Sequence, residues 1–192
     1  LSQCRAYRAV MPDSQCFSHA TAAGLYGLSL PARVRNDTPL HVGTIAGARA
    51  PRGVNVVGHK LALGRDDLTI VRGMRVPCVE EVWVQLAGEL SATELIVAGD
   101  SCLRRMSSLT TLAALRDVVE RARKRPGVAR LREAIHRVRA GTDSAMESVV
   151  RLMLVDAGLP EPAVNLPITV ADGLTLHGDL VYPGQRVVVE YD

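Results

Sequence analysis

Four carboxylates near the C-terminal end of the chain are spaced so that they can meet around a cation. Glu147 lies at the start of an apolar helical segment, and Asp179 and Glu190 lie on opposite arms of the tight turn at Pro183-Gly184. Glu190 and Asp192 are two residues apart, so on a strand they project from the same face. Carboxylates that share one place repel each other unless a cation or a proton intervenes. A hard divalent ion such as Mg²⁺ binds through oxygen and activates water for attack on a phosphodiester.

Each of these acids also has an ordinary structural explanation. Glu147 completes a predicted capping box, Ser144-Ala145-Met146-Glu147. Asp179 can be an edge-strand charge, and Glu190 or Asp192 can be exposed at the end of a strand. Charged residues within Val-rich strands are nevertheless unusual, because a buried charge needs a partner. The four acids together therefore indicate a site more strongly than any one of them.

The elements that must position these acids are a helix followed by three strands. The capping box opens an apolar helix over residues 148–155. Turn residues at Asp172-Gly173 and Pro183-Gly184 separate the β-type runs, which cover residues 164–170, 174–182 and 186–191. Because the turns are short, successive strands are expected to pair as hairpins, with the helix packed on the sheet.

A strongly basic segment precedes this region. Between Arg104 and Arg139, eleven Lys or Arg residues face three acidic ones, a net charge of +8, whereas the rest of the chain carries −5. The segment fits two amphipathic helices divided at Pro126-Gly127. Their basic faces suit a phosphate backbone, although a charge run is often only a solvated helix face. The candidate nucleic-acid contacts are Arg121, Arg123, Lys124, Arg125, Arg130, Arg132, Arg137 and Arg139.

The first 103 residues mix short strands with short helices. Ser18 fits the N-cap of a helix over residues 19–26, which Gly27 ends. Helices are also expected after Pro77 and from Ala92, where apolar residues recur at helical spacing. Apolar runs that predict strands lie at residues 40–42, 54–57 and 68–71. The predicted fold class is α+β.

The cysteines do not form a metal motif. There is neither a C-x-x-C pair nor the spacing of a disulfide framework among Cys4, Cys16, Cys78 and Cys102. Cys16 and His19 could begin a metal site, but two further ligands are not evident near them in the sequence. Buried free thiols in a reducing cytosol are the favoured interpretation, and no zinc site is expected.

Composition and chain ends limit the class of protein. Apolar residues make up 47% of the 192, enough to build a core. The uninterrupted apolar runs are far shorter than the roughly 20 residues that a membrane-spanning helix needs, so no membrane partner is expected. The chain begins at Leu1 rather than Met and stops just after Val187-Val188-Val189. Both ends predict a fragment of a longer protein.

The segment from Ser144 to Asp192 closely resembles the nuclease domain of very-short-patch-repair-type endonucleases, in the restriction-endonuclease-like (PD-(D/E)xK) superfamily. The matching features are Ser-Ala-Met-Glu at 144–147, Ala-Gly-Leu-Pro-Glu-Pro at 157–162, Gly-Asp-Leu-Val-Tyr-Pro at 178–183 and Val-Val-Val-Glu-Tyr-Asp at 187–192. The resemblance implies that Asp179 and Glu190 bind Mg²⁺ and that Glu147 assists from the helix. Asp192 stands where many relatives carry a catalytic Lys, and is expected to act as a further ligand.

The N-terminal part is similar to a module of abortive-infection-type antitoxins found before such nuclease domains in actinobacterial proteins. The likeness lies in residues 18–28, 52–59 and 77–100. It implies that His19 and His59 are mainly residues of the fold. The expected organisation is an antitoxin-like module over residues 1–103, a basic helical connector over 104–140 and an incomplete nuclease domain over 141–192.

These observations predict a cytoplasmic, metal-dependent DNA endonuclease that hydrolyses phosphodiesters with Mg²⁺. The alternative is a non-catalytic DNA-binding regulator of the antitoxin type, whose nuclease-like domain is degenerate. A third interpretation, a protein–protein interaction domain, predicts no salt-dependent DNA binding. The expected partners are DNA and either a second copy of the chain or a cognate toxin-like protein.

Overall fold

Eight α-helices and three small β-sheets make up the described part of the chain, which confirms the predicted α+β class. The computed structural model describes residues 1–35, 39–45, 47, 49–169 and 173–191. The helices are α1 (Ser2–Arg8), α2 (His19–Tyr26), α3 (Ala32–Arg35), α4 (Val79–Leu86), α5 (Ala92–Cys102), α6 (Leu112–Arg121), α7 (Val128–Arg137) and α8 (Ala145–Asp156). The strands are β1 (Gln15–Phe17), β2 (Leu40–Thr44), β3 (Val56–Lys60), β4 (Leu68–Val71), β5 (Met74–Pro77), β6 (Ala163–Thr169), β7 (Thr175–Tyr182) and β8 (Val187–Val189).

Two of the three sheets carry candidate functional residues. β2 lies between β1, to which it is antiparallel, and β3, to which it is parallel. β4 and β5 form a hairpin. β6, β7 and β8 form an antiparallel meander, and Pro183-Gly184 lies between β7 and β8 as predicted. Asp172, in the other predicted turn, lies outside the described residues.

None of the helices described here has the length and apolar character needed to cross a bilayer.

Side-chain caps explain where three of the helices begin. The hydroxyls of Ser91, Thr111 and Ser144 each accept a hydrogen bond from a backbone N–H in the first turn of α5, α6 and α8. The capping box predicted at Ser144 is only half formed. The Glu147 carboxylate accepts from the backbone N–H of Asp143 at 2.9 Å, one residue before the cap.

One hydrophobic core extends from Cys4 to Leu152. The fully buried Trp83 of α4 donates its indole N–H to the Leu95 carbonyl at 2.9 Å. Helices α6 and α7 divide at Pro126-Gly127, as predicted. Gly127 has a φ of 75°, and a Cβ there would lie 2.0 Å from the carbonyl oxygen of Ala87, so a side chain would push the loop away from α4. The division of the chain at residues 103 and 140 stays a prediction, and the core continues across both positions.

A buried ion pair connects α8 to α5. Asp100 and Arg151 have no exposed side-chain surface, and Nη2 of Arg151 lies 2.9 Å from Oδ2 of Asp100. The same Nη2 donates to the Arg137 carbonyl at 2.9 Å, and Nη1 donates to Glu161 at 2.6 Å. Asp100 also accepts the backbone N–H of Arg139 at 2.7 Å. The pair therefore joins α5, the end of α7, α8 and the segment before β6.

Replacing Arg151 by Met is expected to lower the free energy of unfolding by about 3–5 kcal/mol, because it leaves the Asp100 charge buried without its partner. Urea unfolding monitored by circular dichroism measures the change. The control is Arg33→Met, which removes an exposed ion pair with Glu94 and should cost less than about 1 kcal/mol. Equal small losses in the two variants would contradict a structural role for the buried pair.

Candidate functional site

The structure makes Asp179 and Glu190 cross-strand neighbours. Leu180 of β7 pairs with Val189 of β8, so the same register places Asp179 opposite Glu190, which directly follows β8. Directly opposed residues of antiparallel strands project from the same face. The backbone N–H of Tyr191 donates to Oδ2 of Asp179 at 3.0 Å and holds the chain after β8 against β7. Two oxygen donors therefore share one face of the sheet.

Glu147 is linked to this position through Asn165. Glu147 is buried at the start of α8, and its Oε2 accepts from Nδ2 of Asn165 at 3.0 Å. Asn165 adopts a left-handed φ of 47°. Its neighbours on β6 pair with Leu180 and Gly178 of β7, so Asn165 lies level with Asp179. The Glu147 carboxylate is thus held by hydrogen bonds.

The three carboxylates do not close into one cluster. Within the described residues, Glu147, Asp179 and Glu190 are not a set whose oxygens all lie within 4.8 Å of one another. Asp179 is half-buried and Glu190 is exposed, and Asp192 lies outside the described residues. Mg²⁺ commonly binds one or two carboxylates and completes its shell with water and substrate phosphates. A donor pair of Asp179 and Glu190 fits that requirement.

Five of the eight predicted nucleic-acid contacts are engaged within the protein. Four of them reach other elements: Arg125 pairs with Glu81, Arg137 with Asp156 and Arg139 with Glu161, and Arg130 donates to the carbonyls of Ala87 and Leu90. The fifth, Arg121, donates to a carbonyl of its own helix. Arg123, Lys124 and Arg132 are exposed, and their side chains make no hydrogen bond or ion pair with described residues. Part of the charge run therefore serves the fold, and these three cations are available to a phosphate backbone.

Three histidines from different elements meet beside α4. His19 begins α2, His41 lies in β2 and His59 lies in β3. Gly43 pairs with His59 and is two residues from His41, so the parallel pairing puts both histidines on one face. Nε2 of His59 lies 3.1 Å from Nδ1 of His41, and the rings of His19 and His59 stack with centroids 3.7 Å apart. Among described residues this is the only group of three or more His, Cys, Asp or Glu with ligand atoms within 4.8 Å of one another.

The backbone at His19 is unusual and is held from α4. His19 has a φ of 47°, a left-handed conformation that side-chain-bearing residues adopt rarely and at some cost. Its backbone N–H donates to Oε1 of Gln85 at 2.9 Å, and its ring Nδ1 lies 3.1 Å from the Ser18 hydroxyl. These contacts direct the imidazole towards His59.

A close backbone approach positions His59. At Gly58 a Cβ atom would lie 2.0 Å from the carbonyl oxygen of Pro51. Only glycine admits this approach without moving one of the two segments. The position of β3, and with it that of the His59 side chain, therefore depends on Gly58.

Burial keeps the three imidazoles neutral. Desolvation, with repulsion from the neighbouring rings, lowers the pKa of His19 to about 3 and that of His41 to about 4. Desolvation also lowers the pKa of His59. Oε1 of Glu89 lies 3.7 Å from Nδ1 of His41, and burial raises the pKa of that carboxyl. Neutral imidazole is the form that binds metal ions.

A cleft of about 450 Å³ opens beside the histidines. One wall is formed by buried Glu81 of α4, which accepts from Nε2 of Gln85 at 3.1 Å and pairs with Arg125. Lys60, Glu89 and Lys124 add further charged groups. The basic segment and the N-terminal histidines, which are far apart in the sequence, therefore line the same cleft.

Sequence reasoning missed this cluster. It assigned His19 and His59 to the fold, passed over His41 and sought metal ligands near Cys16. Burial raises the pKa of the Cys16 thiol to about 12, which keeps it protonated. The sequence pattern that could have indicated this site was one histidine within each of two short strands and a third at the start of a helix. The cysteines are free, as predicted, but the prediction of burial was wrong for Cys78, which is exposed.

The chain is similar to proteins that are themselves uncharacterized. No family model matches the chain, and no solved structure matches it. Two uncharacterized proteins of Mycobacterium tuberculosis, from strains CDC 1551 / Oshkosh and H37Rv, are each 28% identical to it over 172 residues. The alignment covers 90% of this chain and 60% of each relative. The chain thus spans less than two thirds of the length of the curated relatives it matches.

Acidification is expected to destabilise the metal-free protein through the buried histidines. Unfolded histidines titrate near 6.5, whereas folded His19 and His41 titrate at about 3 and 4. Below pH 6.5 the unfolded chain therefore binds more protons, and the free energy of unfolding falls as the pH falls. Urea unfolding with a chelator present, between neutral pH and about pH 5, measures this slope. A His19→Gln/His41→Gln double variant should lose most of it, and an unchanged slope would contradict burial of the neutral rings.

Proposed function

We propose that this chain belongs to a Mg²⁺-dependent DNA endonuclease of the very-short-patch-repair, restriction-endonuclease-like type. One observation carries the proposal: continued by one pair beyond Leu180–Val189, the register of β7 and β8 sets Asp179 opposite Glu190, where the Tyr191 N–H donates to Asp179. These are the two positions that the sequence resemblance assigns to metal ligands. A cytoplasmic location agrees with the free cysteines.

The residues at the carboxylate pair have two roles: some would bind the metal ion, and others hold those ligands in place. Asp179 and Glu190 would hold the ion through oxygen, and Asp192 would be a further ligand. When bound, Mg²⁺ supplies Lewis acidity and lowers the pKa of a bound water. The Tyr191 N–H fixes the Asp179 carboxylate. Glu147, which is hydrogen-bonded to Asn165, would act from the adjoining helix by keeping β6 in place.

The unpaired cations of the basic segment would contact the DNA backbone. Arg123 and Lys124 lie between α6 and α7, and Arg132 lies on α7. All three are exposed. Contacts of this type give affinity that depends on salt and not on sequence. The segment also lacks interleaved aromatic residues, which favours backbone contact over base stacking.

Asp179→Asn and Glu190→Gln are each expected to lower Mg²⁺-dependent nicking of supercoiled plasmid about 100-fold or more, because each removes a ligand of an ion worth several kcal/mol to the transition state. The assay uses the full-length natural protein. Asp66→Asn, at an exposed acid outside the basic segment, is the matched control and should cleave normally.

Normal cleavage by Asp179→Asn would contradict the assignment of the site. DNA binding by wild type without cleavage, together with no Mg²⁺ binding in calorimetry, would favour the alternative. That alternative is a non-catalytic DNA-binding regulator of the abortive-infection antitoxin type.

Replacing Arg123, Lys124 and Arg132 together by Gln is expected to weaken DNA binding and to reduce the salt slope by about 0.9 for each phosphate that is no longer neutralised. Fluorescence anisotropy with labelled duplex at several salt concentrations measures both effects. The control changes Arg5, Arg52 and Arg65 to Gln, which removes the same charge from exposed positions outside the segment. Equal weakening in both triple variants would show that net charge, and not this surface, determines binding.

A further inference from the structure

We propose that His19, His41 and His59 form a zinc site whose fourth coordination position opens into the adjoining cleft and takes water or a small anion. This site is separate from the carboxylate pair of the β6–β7–β8 sheet and does not depend on the proposed nuclease activity. Its three ligands come from α2, β2 and β3.

The distances between the ring nitrogens suit a zinc ion. Tetrahedral zinc binds imidazole nitrogen at about 2.0–2.1 Å, which puts two such nitrogens about 3.4 Å apart. Nε2 of His59 and Nδ1 of His41 are already 3.1 Å apart. All three ligand atoms lie within 4.8 Å of one another. The ligand atoms are therefore close enough to share one ion, and binding turns the stacked rings of His19 and His59 so that their nitrogens face it.

The surrounding hydrogen bonds orient the rings. Nδ1 of His19 lies 3.1 Å from the Ser18 hydroxyl, which leaves Nε2 as the donor to the metal. Metal-binding histidines usually have such a partner on the second ring nitrogen. The Glu89 carboxylate, 3.7 Å from Nδ1 of His41, supplies negative charge next to the ion. The backbone contact between His19 and Gln85 ties the first ligand to α4.

The donor set favours zinc and its neighbours in the first transition series over Mg²⁺. Imidazole suits Zn, Cu and Ni, whereas Mg²⁺ prefers oxygen. The Cys16 thiol lies outside the group of ligand atoms.

Three protein ligands leave one tetrahedral position free, which is the arrangement of zinc sites that exchange water or substrate. Here the cleft of about 450 Å³ borders His19 and His59 and gives that position access to solvent. Lys60 and Lys124 line the same cleft, and the Glu81 charge there is paired with Arg125. Glu89 also lines the cleft, so its three cations exceed its two carboxylates by one charge, and this excess favours an anionic oxygen ligand.

Zinc titration of the chelator-stripped 192-residue chain tests the site by calorimetry near neutral pH. Wild type is expected to bind one ion per chain. His59→Gln should weaken binding by more than about 100-fold, since the loss of a second-shell partner alone costs about 10–100-fold. His136→Gln and His177→Gln remove exposed histidines outside the cluster and should bind as wild type does. Cys78→Ser, at the exposed thiol, should also bind normally.

Two results would overturn the site: no zinc binding by the folded wild type, or binding that His59→Gln leaves unchanged. Circular dichroism and metal-free urea unfolding establish that each variant is folded. Should His59→Gln fail to fold, His19→Gln replaces it, because the half-buried His19 ring lines the cleft.

The open position is tested with Co²⁺ in place of zinc and inorganic phosphate as the probe. Phosphate is expected to shift the visible absorption bands of the bound cobalt. Lys124→Gln should weaken this response and leave cobalt affinity unchanged. A spectrum that phosphate does not alter would show a closed site and overturn this part of the proposal. Neither measurement involves DNA cleavage, so the outcome is independent of the carboxylate pair.

Discussion

The buried contact between Asp100 and Arg151 is the interaction on which the relation between the helices and the C-terminal sheet depends. Neither side chain is exposed, so each charge has lost its hydration and relies on the other. Arg151 lies one helical turn after Glu147 on α8. The backbone at Arg137 and Arg139 completes the hydrogen bonds of the pair. The orientation of α8, and of the β6–β7–β8 sheet that contacts it through Asn165, follows from this network.

The chain carries two sets of candidate metal ligands with different metal preferences. One set precedes the Asp100–Arg151 pair in the sequence, and the other follows it. The carboxylates of Asp179 and Glu190 suit a hard cation such as Mg²⁺. The neutral histidines of α2, β2 and β3 suit zinc. The basic segment touches both regions: Arg125 lines the histidine cleft, whereas Arg139 pairs with Glu161 beside the buried ion pair. Some cations of the basic segment therefore form internal ion pairs, and others are exposed to solvent.

The elements were predictable from the sequence where their signals are local. Gly27 ends α2, and Pro126-Gly127 divides α6 from α7, because helix breakers act on neighbouring residues. Helix α2 also begins directly after Ser18 as predicted, although the Ser18 hydroxyl contacts the His19 ring and does not cap the helix. The pairing of β7 with β8 followed from the short turn at Pro183-Gly184. The strand expected at residues 54–57 begins two residues later, at Val56, where pairing with Leu40 starts.

Contacts between distant residues were not predictable in this way. Asp100 and Arg151 are 51 residues apart, and nothing in their local sequence pairs them. The three histidines are brought together only by the parallel pairing of β2 with β3 and by the hydrogen bond from His19 to Gln85. Five of the eight basic residues predicted as nucleic-acid contacts have internal partners. An amphipathic pattern identifies the outer face of a helix but does not show what packs on it.

The most direct measurement is anomalous X-ray diffraction from crystals of the protein grown with Zn²⁺ and Mn²⁺, the latter standing in for Mg²⁺, at the absorption edges of both metals. A zinc peak enclosed by His19, His41 and His59, with a manganese peak between Asp179 and Glu190, is the expected result. Zinc at the carboxylates, or no zinc peak among the histidines, would contradict the assignment of two separate metal sites.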